Sequence, residues 1–171
     1  MIAPLTSSMG RLFDAVSALV GVREEVNFEG QAAILLEAAV DPEEAEAYPF
    51  EIVEGVVEPK GLIRGVVDDY RSHVSVPRIA ARFHNAVASM VREVCRQMRG
   101  RSGVKRVVLS GGVWQNMTLL QKCVRTLRQD GFEVLFHTQV PPNDGGLSLG
   151  QAVIASHRLV NGGGLGVSGG L

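Results

Sequence analysis

Two glycine pairs in this chain stand where main-chain atoms could come close to a ligand. Leu109-Ser110-Gly111-Gly112 closes a short apolar run, and Asn116 follows one helical turn later. Glycine lacks a Cβ, so its backbone can approach a bound group, and the helix start beyond it favours a negative one. That chemistry is recognition of a phosphate or a hydroxyl, with Asn116 as a donor. The plainer reading is a tight strand-to-helix turn. No Gly-Lys-Ser/Thr follows, and there is no GxGxxG, so neither common phosphate-loop fingerprint is present. The second pair lies in Asn143-Asp144-Gly145-Gly146. Asp144 either caps a helix or directs a carboxylate at a cation or a metal–phosphate complex. Both turns follow strands expected to be neighbours, so Asn116 and Asp144 are expected to face one cleft.

Asp14 adjoins Phe13 on an apolar helix, with Arg11 nearby. It reads as a solvated-face residue or as a receiver of ribose hydroxyls, with Arg11 as its ion partner or a phosphate contact. The four histidines are His73, His84, His137 and His157. No two have i,i+4 spacing, so no helical metal pair is expected. His84 borders an apolar stripe and is expected to be partly buried and hydrogen-bonded. Ser110 lacks the glycine two residues ahead that marks a nucleophile elbow. Cys95 and Cys123 have no ligand-spaced neighbours, which argues against a disulfide framework or a zinc site and for a reducing cytoplasm.

These residues need elements to hold them. Leu12, Phe13, Val16, Leu19 and Val20 recur at helical spacing, ending at Gly21. Asn27 is the expected N-cap of a second helix, Glu29 to Val40, stopping before Asp41-Pro42. Phe50, Ile52 and Val56 predict a strand or hairpin, with Gly55 as a bulge. A short helix is expected from Leu62 to His73. A long one runs from Val76 to about Arg99, with Pro77 in its first turn and Ile79, Phe83, Val87, Met90, Val91, Val94 and Met98 facing a core. Then come strand Arg106–Ser110, helix Met117–Gln129, strand Phe132–His137 and a closing helix Leu147–Val160. Strand–helix–strand–helix with short connections implies a parallel pair and an α/β domain over 1–160. Residues 161–171, mostly glycine, are expected to be a flexible tail.

Composition limits the function classes. Of the 171 residues, 46% are hydrophobic and only 5% aromatic, so the core must be aliphatic. A formal net charge of −1 argues against a nucleic-acid surface. The arginines between Arg92 and Arg106 suit a helix C-terminus. No stretch is apolar enough to span a bilayer, and no basic n-region precedes an apolar run, so no membrane or secretory role is expected.

The segments Thr6-Ser7-Ser8-Met9-Gly10-Arg11-Leu12-Phe13-Asp14-Ala15-Val16, Phe28-Glu29-Gly30-Gln31-Ala32-Ala33, Arg82-Phe83-His84, Leu109-Ser110-Gly111-Gly112-Val113-Trp114-Gln115-Asn116, and Val140-Pro141-Pro142-Asn143-Asp144-Gly145-Gly146-Leu147-Ser148-Leu149-Gly150-Gln151 stand out as a series. They resemble segments of HypF-type hydrogenase maturation carbamoyltransferases. They occur in the family's order from about Pro4 to about Ser156. The resemblance implies an actin-like ATPase lobe (ASKHA, ribonuclease H-like), the C-terminal half of a TsaD-like domain, with additional helices. It implies ATP and carbamoyl phosphate as substrates and carbamoyl adenylate as intermediate. The acceptor it implies is the C-terminal cysteine of a HypE-type protein, in the maturation of [NiFe]-hydrogenase. Carried over by position, Asp14 would bind ribose and Gly30 would sit close to the nucleoside. Gly111 and Gly112 would form the nucleotide turn beside Asn116. Asp144 would supply one ligand to a divalent iron, zinc or magnesium ion.

The resemblance also implies that the acylphosphatase-like, zinc-finger and YrdC-like modules lie outside these residues. So does the first half of the TsaD-like domain, with its histidine pair, second acidic ligand and phosphate loop. The chain alone is therefore expected to bind nucleotide weakly without completing the reaction, and to self-associate or pair with the upstream half. Two alternatives stay open: a TsaD-like carbamoyltransferase for another acceptor, and a non-catalytic interaction domain that kept the fold.

Overall fold

A computed structural model describes residues 6–160. The Gly-rich segment 161–171, read from sequence as a flexible tail, lies outside the described residues. Helix α1 (Met9–Leu19) opens the fold. Ser8 caps it by accepting the Arg11 N–H at 3.4 Å, so it starts three residues earlier than apolar spacing alone indicates. Helix α2 (Gln31–Ala38) differs from expectation at its start. Gly30, at φ +79°, is its N-cap. Asn27 instead lends its N–H to the Gln31 Oε1 at 2.8 Å, so it receives a capping contact rather than making one. Only glycine takes that left-handed corner without strain.

Strands β1 (Glu51–Val53) and β2 (Val56–Glu58) form the expected hairpin. Gly55 is not a bulge. Glu54 and Gly55 both have positive φ, 52° and 85°, and form the two-residue turn itself. Such a turn matches the twist of the flanking strands. Helix α3 (Lys60–Arg71) leads through His73, at φ +58°, into α4 (Val76–Ser102), which Gly103 ends in the left-handed region.

The core forms around α4, because its first four turns carry apolar or small residues on nearly every side. Ile79, Ala80, Phe83, Ala86, Val87 and Met90 are buried there with Phe13 and Val16 of α1, Leu36 of α2, and Leu62 and Val66 of α3. The predicted stripe runs too far: Met98 is 63% exposed. Beyond Cys95 the helix overruns the core, and its polar side takes over. Arg92 and Arg96 each bind Asp130 through two nitrogens at 2.6–2.8 Å. Arg99 donates to the Asp130 carbonyl at 2.7 Å and lies over the Phe132 ring. The arginine-rich stretch is thus a clamp on one turn, with planar forks matched to a carboxylate.

Strand β3 (Arg106–Leu109), helix α5 (Met117–Gln129) and strand β4 (Glu133–Phe136) make the βαβ unit that the sequence predicts. The strands pair in parallel, Leu109 opposite Phe136. One face packs on the helices through Leu109 and Val134, while Val108 and Leu135, cross-strand partners on the other face, are exposed. Helix α6 (Leu147–Val160) does not close over that face. None of its residues is buried, and it touches the rest of the fold mainly at the short turn before it. Among the described residues no helix is long and apolar enough to cross a membrane. Both cysteines are free thiols; burial, with Cys95 nearby, pushes the Cys123 thiol up to about 12.

Candidate functional site

Parallel strands place their following loops side by side at their carboxyl ends, where open α/β sheets bind ligands. Both glycine loops sit there. The Gly111 N–H donates to the Pro142 carbonyl at 2.8 Å, tying the first loop to the second. A Cβ on Gly112 would meet Asn143 at 3.8 Å. The expected neighbourhood of the two turns is therefore present, and a backbone hydrogen bond holds it.

Gly111 has φ +106° and ψ +162°, a combination essentially confined to glycine. Its amide is used by Pro142, so the exposed edge of the loop passes to the short 3-10 turn Gly112–Gln115. At the second loop, Gly146 allows close backbone approach: a Cβ there would lie 2.7 Å from the Pro141 oxygen. Asn143, not Asp144, is the cap of the following turn; its Oδ1 accepts the Gly145 N–H at 3.1 Å. The Asp144 carboxylate is left exposed, without a hydrogen bond or ion pair among the described residues.

Asn116 is built in more deeply than a lone donor would be. Only 8% of it is exposed. Its Oδ1 accepts the Leu119 N–H at 2.8 Å, capping α5, and its Nδ2 donates to His84 Nε2 at 2.9 Å. The preceding amide of α5, Thr118, donates to Glu37 at 2.8 Å. The start of α5, which the sequence offers as an anion site, is thus filled by the protein's own acceptors. The open surface lies one turn earlier, at the glycines.

Asp14 lies on α1, which packs against the glycine turn and against α2. Its carboxylate pairs with Arg11 at 3.1 Å and stays partly exposed. Gly30 begins α2 with open space where a Cβ would be. Among the described residues neither is hydrogen-bonded to the Gly111–Asn116 turn; α1 packs directly against that turn, and α2 packs against α1.

Sequence reasoning missed a further pair. Ser110 Oγ and His137 Nε2 lie 2.9 Å apart, immediately beyond β3 and β4. They are 27 positions apart in the chain, and only the Leu109–Phe136 register makes them adjacent. A shallow hollow of about 590 Å³ lies elsewhere, between α3 and the end of β2, around Glu58, Lys60 and Arg71. It is open surface with no link to the glycine loops, and the candidate chemistry stays with the strand ends.

The donor set does not fit a complete metal centre. Among the described residues no three His, Cys, Asp or Glu side chains converge as ligands. Asp144 offers one hard carboxylate, whereas divalent ions bound through oxygen take several.

Comparison with known proteins bears on this arrangement. A family described as "Carbamoyltransferase, Kae1-like Domain, second subdomain" matches residues 1–151. The chain is 40% identical over 154 residues to Carbamoyltransferase HypF of Synechocystis, covering 87% of this chain and 19% of that protein. It is 34% identical to Carbamoyltransferase HypF of Rhizobium leguminosarum, covering 94% and 21%. A crystal structure of full-length HypF in a phosphate- and nucleotide-bound form superposes with TM-score 0.84 at 46% identity, covering 90% of this chain and 21% of that one. The structure of HypF from T. kodakarensis gives 0.71 at 28% identity, covering 91% and 20%. The chain thus spans about a fifth of the length of these relatives.

Proposed function

Because this chain belongs to the HypF carbamoyltransferase family, we propose that it is the nucleotide-binding half of the carbamoyl-transferring domain. The observation that carries this reading is the junction of the two glycine loops at the strand ends, with Gly111 bonded to Pro142 and the Asp144 carboxylate left free. Gly112 lets the backbone approach the nucleotide phosphates. Asn116 fixes that turn from behind. Asp14 and Gly30, on the flanking helices, take the ribose and the nucleoside. The fold is then one lobe of the actin-like ATPase architecture, its α5 unit carrying the nucleotide turn and α1–α4 the additional helices.

In the whole protein the reaction activates carbamoyl phosphate with ATP. Water first cleaves carbamoyl phosphate to carbamate and inorganic phosphate; a carbamate oxygen then bonds to the nucleotide's α-phosphorus as the bond to the β-phosphate breaks, and pyrophosphate leaves. The resulting carbamoyl adenylate passes its carbamoyl group to the cysteine sulfur of a HypE-type acceptor, releasing AMP. This chain contributes nucleotide contacts and one carboxylate toward a divalent cation. The remaining cation ligands come from the upstream half of the domain.

The bare face formed by Val108 and Leu135, together with the apolar residues of α6, supports pairing with that upstream half or with a second copy. Parallel sheets are ordinarily covered on both faces. The same surface favours the second reading, a non-catalytic interaction domain.

Calorimetric titration of the chain with ATP separates the two. Binding that Asp14→Ala and Asp144→Asn both weaken supports the nucleotide half. No binding, with tight capture of the separately expressed upstream half, supports the interaction domain. Carbamoyl-phosphate-dependent ATP cleavage by this chain alone would show that the division of labour is wrong.

A further inference from the structure

His84 is a fully buried ionisable side chain in the core, and the function proposed above gives it no task. It lies edge-on to Phe13 and Phe83, with ring centroids at 5.2 and 5.8 Å. Its Nδ1 is 2.7 Å from the Ala80 carbonyl oxygen, and its Nε2 is 2.9 Å from Asn116 Nδ2. These two contacts determine its proton. A carbonyl oxygen only accepts, so Nδ1 must carry the hydrogen. Asn116 must present its NH2 to the ring, because its Oδ1 is already accepting the Leu119 N–H. The neutral ring with hydrogen on Nδ1 therefore satisfies every group in line: Leu119 N–H to Asn116, Asn116 to His84, His84 to Ala80.

A second proton breaks this order. Nε2–H would point at the Asn116 NH2, donor against donor. Turning the amide over would relieve that clash but set NH2 against the Leu119 N–H and uncap α5. Asn116 also ends the glycine turn: its N–H donates to Val113 and its carbonyl accepts from Leu120. The ring thus reaches from α4 to the residue where the turn Gly112–Gln115 joins α5.

We propose that His84 is a positioning residue for the glycine turn, holding Asn116, as the neutral Nδ1–H imidazole, in the one orientation that caps α5 and fixes the Gly111–Gln115 backbone. Burial holds the ring below its ordinary value, against the Ala80 carbonyl and Glu37 of α2, which favour the proton, while Lys122 of α5 opposes it. The remaining neighbours from α1 and α4 are the uncharged Phe13 and Phe83. A base depressed by folding contributes stability that is present above its unfolded value and lost as pH falls through the folded one. The turn is accordingly ordered at neutral pH and loosens in acid. The step from turn to nucleotide rests on the function proposed above; the step from His84 to the turn does not.

The test uses the 171-residue chain with nitrogen-15 in histidine and backbone. Near neutral pH, ring correlations should show hydrogen on Nδ1 and an accepting Nε2, and acid should move the His84 ring and the Gly111, Gly112 and Leu119 amides together. His84→Phe keeps volume and ring contacts but loses the acceptor. His84→Gln keeps an acceptor. Leu119 amide exchange should quicken roughly tenfold in the Phe variant, the scale of one lost cap bond, and ATP affinity should fall with it. Gln should recover most of both. Hydrogen on Nε2 in the native chain, or turn amides that ignore the ring's titration, would overturn the proposal even if the Phe variant fails to fold. Unchanged Leu119 exchange in a folded Phe variant would overturn it too. If the ring and amide results hold but the native chain binds no ATP, the nucleotide reading falls and the positioning role stands.

Discussion

Replacing Gly111 and Gly112 separately by alanine distinguishes two reasons for a glycine. At Gly111 the obstacle is conformation, because φ +106° with ψ +162° excludes a side chain, although a Cβ would meet nothing within 4 Å. Holding alanine there costs about 1–3 kcal/mol. In a chain of this size each kcal/mol lowers the melting temperature by about 2–4 °C, so the expected loss is roughly 2–12 °C. Gly112 has an ordinary φ, and its nearest neighbour would be Asn143 at 3.8 Å. Gly112→Ala should therefore leave the melting temperature unchanged or raise it slightly, since alanine restricts the unfolded chain more. If Gly112 exists to admit a phosphate, its alanine variant should lose about tenfold in ATP affinity, the ~1.5 kcal/mol of one hydrogen bond to a charged group. Thermal melts and calorimetric titration read the two effects independently. A Gly111→Ala chain as stable as the native one would refute the conformational argument. A Gly112→Ala chain that melts normally and binds ATP normally would refute the close approach.

Three other outcomes follow from the packing. Gly65→Ala would place its Cβ 2.6 Å from the Tyr48 ring, whose hydroxyl is held by Asp69 at 2.7 Å; urea titration should show a loss of about 1–3 kcal/mol from overpacking. Glu44 has its carboxyl held at about 2, first by the Glu46 N–H and then by Arg78. Its contribution is complete above the ordinary carboxylate range and disappears as pH falls toward 2, so Glu44→Gln should lower stability at neutral pH and flatten that acid limb in denaturation measured against pH. Leu135→Lys on the bare sheet face should weaken self-association in sedimentation runs at rising concentration without lowering the melting temperature, and a native chain that stays monomeric throughout would remove the case for self-pairing.

Much of the frame was legible in the residues. Apolar runs at period 3.6 and short β-rich runs placed every helix and strand from α1 to α6 within a few positions, since local propensity and burial agree along most of this chain. The motif series from Thr6 to Gly146 identified the family. What the sequence misjudged shares one cause: it concerns where a side chain's partner stands. Asn27 and Gly30 exchanged capping roles because backbone handedness, not side-chain type, starts α2. Asn143 took the cap that Asp144 was a candidate for, which left the carboxylate free. Met98 fits the helical spacing but lies past the end of the core.

The linear order by itself determined that a parallel βαβ unit carries two glycine loops and that α4 is the central apolar helix. Tertiary structure alone decided how the loops meet, through Gly111 and Pro142, and which groups are already spent. It joined His84 to Asn116 across 32 positions and Glu37 to Thr118 across 81. Hydrogen-bond partners are chosen by distance in space, and no local preference encodes that distance. Hence Asn116, read from sequence as a donor for a ligand, has its side-chain oxygen and amide nitrogen hydrogen-bonded to Leu119 and His84 in the folded chain.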